Sequence, residues 1–141
     1  MSFYLDTALL VAMLTNESST GRVQAWLDSC GEGELSISPW VIAEFSSALR
    51  LKQRTRQLTA DERAAALATF AELVADTLTV RPITNAHFHA AASLVERSTL
   101  ALRAPDALHL AICSGHGETL CTLDRRLAEA GTALGVKTQL V

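Results

Sequence analysis

The stretch FYLDTALL, residues 3–10, decides the fold. An apolar run is broken by one carboxylate, Asp6, with Thr7 beside it, and then resumes with helical spacing. Residues 2–5 read as a short buried strand, and either Asp6 or Thr7 can cap a helix over residues 8–14. A strand that passes directly into a helix suggests the first half of a strand–helix–strand crossover, and the same punctuation recurs along the chain.

Ser18 to Thr20 offers caps for a second helix, in which Val23, Trp26, Leu27 and Cys30 form one apolar stripe. The GEG at 31–33 stops it. Residues 34–37, in ELSIS, alternate Leu35 and Ile37 like a strand, and Ser38 with Pro39 supplies an N-cap and a first helical position. The helix that follows carries Val41, Phe45, Ala48 and Leu49 on one face. Thr59 to Glu62 has the capping-box form and opens a fourth helix with Leu67, Phe70, Ala71 and Val74 in period. Residues 78–83 read as a strand, Thr84 caps a helix to about Arg97, and Pro105 begins another that ends near SGHG. Residues 118–122 form a strand, a short helix starts at Asp124, and VKTQLV closes the chain as a last strand. Strands alternating with helices predict a parallel sheet covered on both faces, with right-handed crossovers.

At 141 residues the chain is the size of one domain, expected to span 1–141 and to fold around one core without disulfides or a structural metal. Three cysteines, Cys30, Cys113 and Cys121, have no CxxC spacing and fit reduced thiols in a cytoplasmic protein. The first apolar run has no basic start and is cut by Asp6, so neither a signal peptide nor a membrane span is expected. A formal net charge of -3 argues against coating nucleic acid by bulk charge and leaves room only for a local basic patch.

In open parallel sheets, ligands sit beyond the carboxyl ends of the strands, near the point where strand order reverses. Asp6 follows the first strand directly, Asp124 lies two residues past Thr122, and Glu44 falls in the second turn of the helix after residues 34–37. Asp106 stands in the first turn of the helix opened by Pro105, where free N–H groups favour a negative charge. Singly, each has an ordinary reading: Asp6 and Asp124 as caps, Glu44 as a solvated helix residue, Asp106 as a first-turn acid. Together they imply repulsion, since two carboxylates about 5 Å apart repel by roughly 3 kcal/mol at an effective dielectric near 20. Protonation relieves that, or a hard cation with oxygen ligands, Mg²⁺ or Mn²⁺.

FYLDTALL, SPWVIAEFSSAL, RAPDALHLA and LCTLDRRLAEAG, in that order, resemble the PIN-domain nucleases, and among them the VapC-type toxins of toxin–antitoxin systems. The resemblance covers nearly the whole chain. It implies a three-layer α/β/α sandwich around a five-stranded parallel sheet. It also implies that Asp6, Glu44, Asp106 and Asp124 are catalytic acids binding one or two Mg²⁺ or Mn²⁺ ions, with Thr122 as a supporting hydroxyl. Where the family often has a hydroxyl two residues after its first Asp, this chain has Ala8, which leaves Thr7 as the nearby hydroxyl. The activity implied is hydrolysis of RNA phosphodiester bonds, held in check by an antitoxin whose tail fills the active-site groove. A homodimer is expected as well.

RNA contacts would come from a local patch. RLKQRTR places Arg50 with Arg54, and Lys52 with Arg56, four apart in two basic rows if the helix continues. Arg103, Arg125 and Arg126 lie beside two of the acids and could hold phosphates flanking the cut. His109, three residues after Asp106, is read as a packed structural histidine that could also orient Asp106 or touch substrate. A zinc site from His109, Cys113, His116 and Cys121 lacks a recognised spacing. There is no GxSxG elbow and no P-loop. The reading from another class is a catalytically silent interaction module that binds a basic peptide tail or RNA.

Overall fold

The computed structural model describes residues 1–31 and 33–141; Glu32, inside the expected GEG stop, lies outside them. Strands β1 (Ser2–Leu5), β2 (Glu34–Ile37), β3 (Thr79–Val80), β4 (Thr119–Thr122) and β5 (Thr138–Leu140) form one sheet in the order β3-β2-β1-β4-β5. Every pairing is parallel. Between them the described residues form α1 (Thr7–Leu14), α2 (Thr20–Ser29), α3 (Pro39–Arg54), α4 (Ala60–Asp76), α5 (Asn85–Arg97), α6 (Ala104–Gly115) and α7 (Arg125–Ala133). From β1 the chain steps outward to β2 and β3, then returns to the other side of β1 for β4 and β5. Strand order therefore reverses between β1 and β4.

With right-handed crossovers, that reversal puts the two groups of helices on opposite faces. α1 packs on α2, α3 and α4, whereas α5 packs on α6, and α7 lies against β4 and β5. The result is the expected three-layer α/β/α sandwich. Side chains of β1 alternate between the layers: Phe3 meets Trp26 of α2 edge-on, ring centroids 5.8 Å apart, and Tyr4 turns to His109 of α6. The strand is buried on both faces, as a central parallel strand should be. Around it Leu5, Leu10, Ile37, Phe45, Leu110, Ile112 and Leu120 are almost wholly excluded from water. Phe45 also stacks on Phe70 at 4.2 Å, joining α3 to α4.

Most helix starts follow the sequence. Asp6 caps α1, Thr59 and Glu62 complete both bonds of a capping box at α4, and Asp124 caps α7. Gly31 takes φ 61° just past Cys30, a left-handed turn that ends α2. Several expected elements are shorter. β3 is two residues, because Pro82 has no N–H to continue the ladder; its last bond is Arg81 N–H to the Ile37 carbonyl. β4 begins at Thr119, since the Glu118 amide turns back to the Cys113 carbonyl. The stripe on α2 is mostly half-buried, with Val23 alone fully covered, and Ala71 of α4 is exposed. All three cysteines are free thiols. Among the described residues no helix is long and apolar enough to cross a membrane.

Candidate active site

The reversal between β1 and β4 leaves a crevice beyond the strand ends, and two acids stand on its walls. The Asp6 amide donates to the Cys121 carbonyl at 3.2 Å, so the first residue past β1 is still tied to β4. Its carboxylate is buried: Oδ1 accepts the Leu9 N–H at 3.0 Å, and Oδ2 accepts the Thr122 hydroxyl. Thr122 in turn accepts the Asp124 N–H at 2.9 Å. Asp124 Oδ1 takes the Arg126 and Leu127 N–H groups, so both residues are caps, and Asp124 keeps its other oxygen toward solvent. Thr122 is thus the hydroxyl that supports Asp6.

Glu44 arrives from α3 and is half-buried. Its Oε1 accepts the Thr7 hydroxyl at 2.8 Å and His109 Nε2–H at 2.5 Å. Thr7 therefore serves Glu44, not Asp6, and His109 orients Glu44, not Asp106. Asp106 sits half-buried in the first turn of α6. The four carboxylates come from four elements on both sides of the sheet, and their charges reach one another. Burial pushes the Asp6 carboxyl up to about 6, with the Asp106 charge adding to the rise against Thr122, Leu9 and His109. Burial also raises Asp106, helped by Asp124 and Glu44 and opposed by His109 and Arg103. At Glu44 burial pushes upward too, but the His109 hydrogen bond and charge and the Thr7 hydroxyl together hold it below its ordinary value.

Two cavities open here. One, of about 280 Å³, is lined by Arg103, Asp106, Asp124, Arg126 and the apolar Leu102 and Leu127. The other, about 400 Å³, runs from Thr7 and Glu44 between α1 and α3 past Val11 and Ala48 to Leu51. Arg103 and Arg126 thus stand with the acids. Arg125 does not: it lines a separate cavity with Thr132 and Thr138 on another side of α7. Arg50 and Arg54 are exposed on the last turns of α3, where Arg50 bonds Gln53. The second basic row fails to form, because α3 ends at Arg54, Arg56 adopts φ 62°, and Lys52 pairs with Glu17 at 2.7 Å.

Among the described residues, no three His, Cys, Asp or Glu side chains form a ready cage for a metal ion. The donor chemistry nevertheless suits a hard divalent cation: the ligands on offer are carboxylate oxygens, and two of the acids are strained upward by burial and mutual charge. Mg²⁺ keeps several waters and is commonly bound through one or two carboxylates, which an open set of this kind supplies.

Sequence reasoning read Ser38 as a cap and His109 as a packed histidine, and missed Tyr4 and the chain that joins the three. Tyr4, Ser38 and His109 form a buried hydrogen-bonded chain to Glu44. A signal existed: the chain's single tyrosine lies in an apolar strand, and a buried tyrosine hydroxyl requires a partner.

The PIN domain family model matches residues 3–132, and the chain belongs to that family. No curated protein matches the sequence. Among solved structures, VapBC2 from Rickettsia felis, bound to a DNA fragment from its promoter, aligns with a TM-score of 0.74 at 15% identity, covering 99% of this chain and 98% of that one. VapC20 from Mycobacterium tuberculosis, a sarcin–ricin loop cleaving toxin, aligns at 0.73 and 18% identity over 92% and 95%. FitAcB from Neisseria gonorrhoeae aligns at 0.65 and 19% identity over 96% and 95%. The fold is therefore that of the VapC and Fit proteins.

Proposed function

We propose that the chain is a metal-dependent endoribonuclease and the toxin of a toxin–antitoxin pair, acting in the cytoplasm as a single PIN domain over 1–141. What supports this reading is the electrostatic contact among the acids: Asp6 feels the charge of Asp106, and Asp106 the charges of Asp124 and Glu44, while burial holds Asp6 and Asp106 above the usual carboxylate range. Membership of the PIN family and likeness to toxin–antitoxin structures support it.

The site residues divide the work. Asp6, Glu44, Asp106 and Asp124 would hold Mg²⁺ or Mn²⁺. When bound, the ion supplies a hydroxide at neutral pH and charge stabilisation at phosphorus and at the leaving 3′ oxygen. Thr122 and the Leu9 N–H each hold one Asp6 oxygen, which would keep the carboxylate from rotating. Arg103 and Arg126 flank the acids and would grip phosphates on either side of the cut, which positions the strand without reading bases. Arg50 and Arg54 would extend that track along α3. The groove from Glu44 to Leu51, polar at one end and apolar along Val11 and Ala48, suits a tail of the antitoxin.

The test is cleavage of structured RNAs, ribosomal RNA and tRNA included, with EDTA, Mg²⁺ or Mn²⁺. Cleavage that needs the cation and falls about 100-fold or more in Asp6→Asn and Asp106→Asn supports the assignment, since each acid is asked for several kcal/mol of transition-state stabilisation. A protein that binds Mn²⁺ and RNA yet cuts none is the silent interaction module instead.

A further inference from the structure

A chain of hydrogen bonds runs beneath the carboxylates and ends on one of them. Ser38 Oγ lies 2.8 Å from the Tyr4 hydroxyl, that hydroxyl lies 2.9 Å from His109 Nδ1, and His109 Nε2 lies 2.5 Å from Glu44 Oε1. Ser38, Tyr4 and His109 are all buried. Ser38 occupies the N-cap position of α3, yet its side chain makes no cap bond and turns to Tyr4 instead. A residue type suited to satisfying the helix end has been diverted into this chain.

Counting protons fixes the direction of the last bond. An ionised Glu44 can only accept, so His109 Nε2 carries the hydrogen between them. The Tyr4 hydroxyl completes the chain in either state of the ring, donating to Nδ1 of a neutral imidazole and accepting from a charged one, with Ser38 as its other partner. Each bond fixes the next, and the last one fixes a carboxylate. Thr7 donates to the same Oε1 at 2.8 Å, so that oxygen holds two hydrogen bonds while Oε2 has no partner among the described residues.

We infer that His109, locked by Tyr4, is a positioning residue for Glu44: with Thr7 it saturates Oε1, so that the carboxylate offers Oε2 alone to the divalent cation. This rests on the cation reading above. The arrangement also refers Glu44, from the α3 side of the sheet, to β1, the strand whose end carries Asp6 two residues beyond Tyr4. Two ligands borne by different layers are thereby held to one rigid strand.

The probe is Mn²⁺ itself, titrated by calorimetry and by its electron-spin signal into the full-length apo protein, with no RNA present. His109→Ala weakens Mn²⁺ binding about 10- to 100-fold, the usual cost of removing a group that orients a ligand. His109→Gln, which keeps an N–H donor, stays within about fivefold of the starting protein, and Tyr4→Phe falls between the two. In the Glu44→Gln background, His109→Ala adds no further loss, because the two changes act through one contact. An unchanged Kd in His109→Ala beside a weakened Glu44→Gln overturns the positioning role and leaves the cation site standing. A loss in His109→Gln equal to that in His109→Ala, repeated in full when either change is added to Glu44→Gln, also overturns it, since that pattern reports general loosening. Unchanged Mn²⁺ binding in Glu44→Gln brings down the cation reading and this inference together. If His109→Ala does not fold, His109→Gln and Tyr4→Phe decide the question by the same titration.

Discussion

Asp6, proposed above as a cation ligand, carries a buried carboxylate whose charge costs stability. Its buried carboxyl is pushed up to about 6 from an ordinary value of 3.8. The folded state therefore binds the proton more tightly than the unfolded chain does, and the metal-free protein loses stability as pH rises through that interval. The stability is fully present below 3.8 and is gone above about 6, a change of about 3 kcal/mol at 1.36 kcal/mol per unit. Urea unfolding in EDTA at pH 4 and pH 7.5 measures it, and Asp6→Asn should remove this component, so that the variant gains on the starting protein at the higher pH. On the cation reading, a saturating divalent ion should offset the loss at pH 7.5 by binding only the folded form. Asp6 and Asp124 were legible in the sequence because strand-to-helix junctions are local: cap, strand end and acid lie within a few residues. His109 was legible only as a buried ring. Its partners Tyr4 and Glu44 are 105 and 65 residues away, and nothing in the spacing of the chain brings them together.

At the scale of elements, two contacts between neighbouring elements carry predictions. α7 approaches β5 and α6 so closely that a Cβ on Gly131 would lie 2.5 Å from Thr138 Cγ2 and 2.8 Å from Leu110 Cδ2. Thr138 cannot step aside, because its hydroxyl bonds the Ala128 carbonyl and Thr132. Alanine normally stabilises a helix relative to glycine by about 1 kcal/mol, yet Gly131→Ala should destabilise by about 1–3 kcal/mol through overpacking. Thermal unfolding gives the sign directly. The second contact is an ion pair beneath the sheet. Glu118 is buried, accepts Ser36 at 2.7 Å, and meets the Arg81 guanidinium through both oxygens at 3.2 and 3.3 Å. Arg81→Met leaves that charge without its partner and should cost about 3 kcal/mol in urea, whereas adding Glu118→Met recovers most of it. The sequence overstated β3 and the second basic row for related reasons. A strand was continued through Pro82, and a helix was continued past Arg54 to Arg56, where the backbone takes a left-handed turn. Likewise Arg125 and Arg126 are adjacent in sequence but point about 100° apart on a helix, so the seating of α7 on the sheet decides which one meets the acids.

At the scale of the whole molecule, a parallel sheet was implied by alternating strands and helices, but its strand order and the surface left uncovered were not. Trp40, Phe88, Ala91, Val95, Pro105 and Leu108 line an apolar hollow of about 320 Å³ between α3, α5 and α6, and Phe88 is 56% exposed. The Trp40 indole N–H is buried beside it with no hydrogen-bond partner among the described residues. An apolar hollow with an exposed Phe88 at its edge is suited to a partner surface, and the homodimer expected from the family resemblance would use it. Phe88→Glu should then yield a monomer by light scattering with its fold intact, while a dimer that survives this change must be built on another face.

The bond from Thr122 to Asp6 spans 116 positions of the chain. On the ribosome, the first strand emerges long before its neighbour on that side exists. A nascent polypeptide halted before the fourth strand owns Asp6, Glu44 and Asp106 but lacks Thr122 and Asp124, and has no second wall to its crevice. Truncated translation products should therefore be inert, and on the toxin reading proposed above any hazard to the cell would begin only when synthesis is nearly finished.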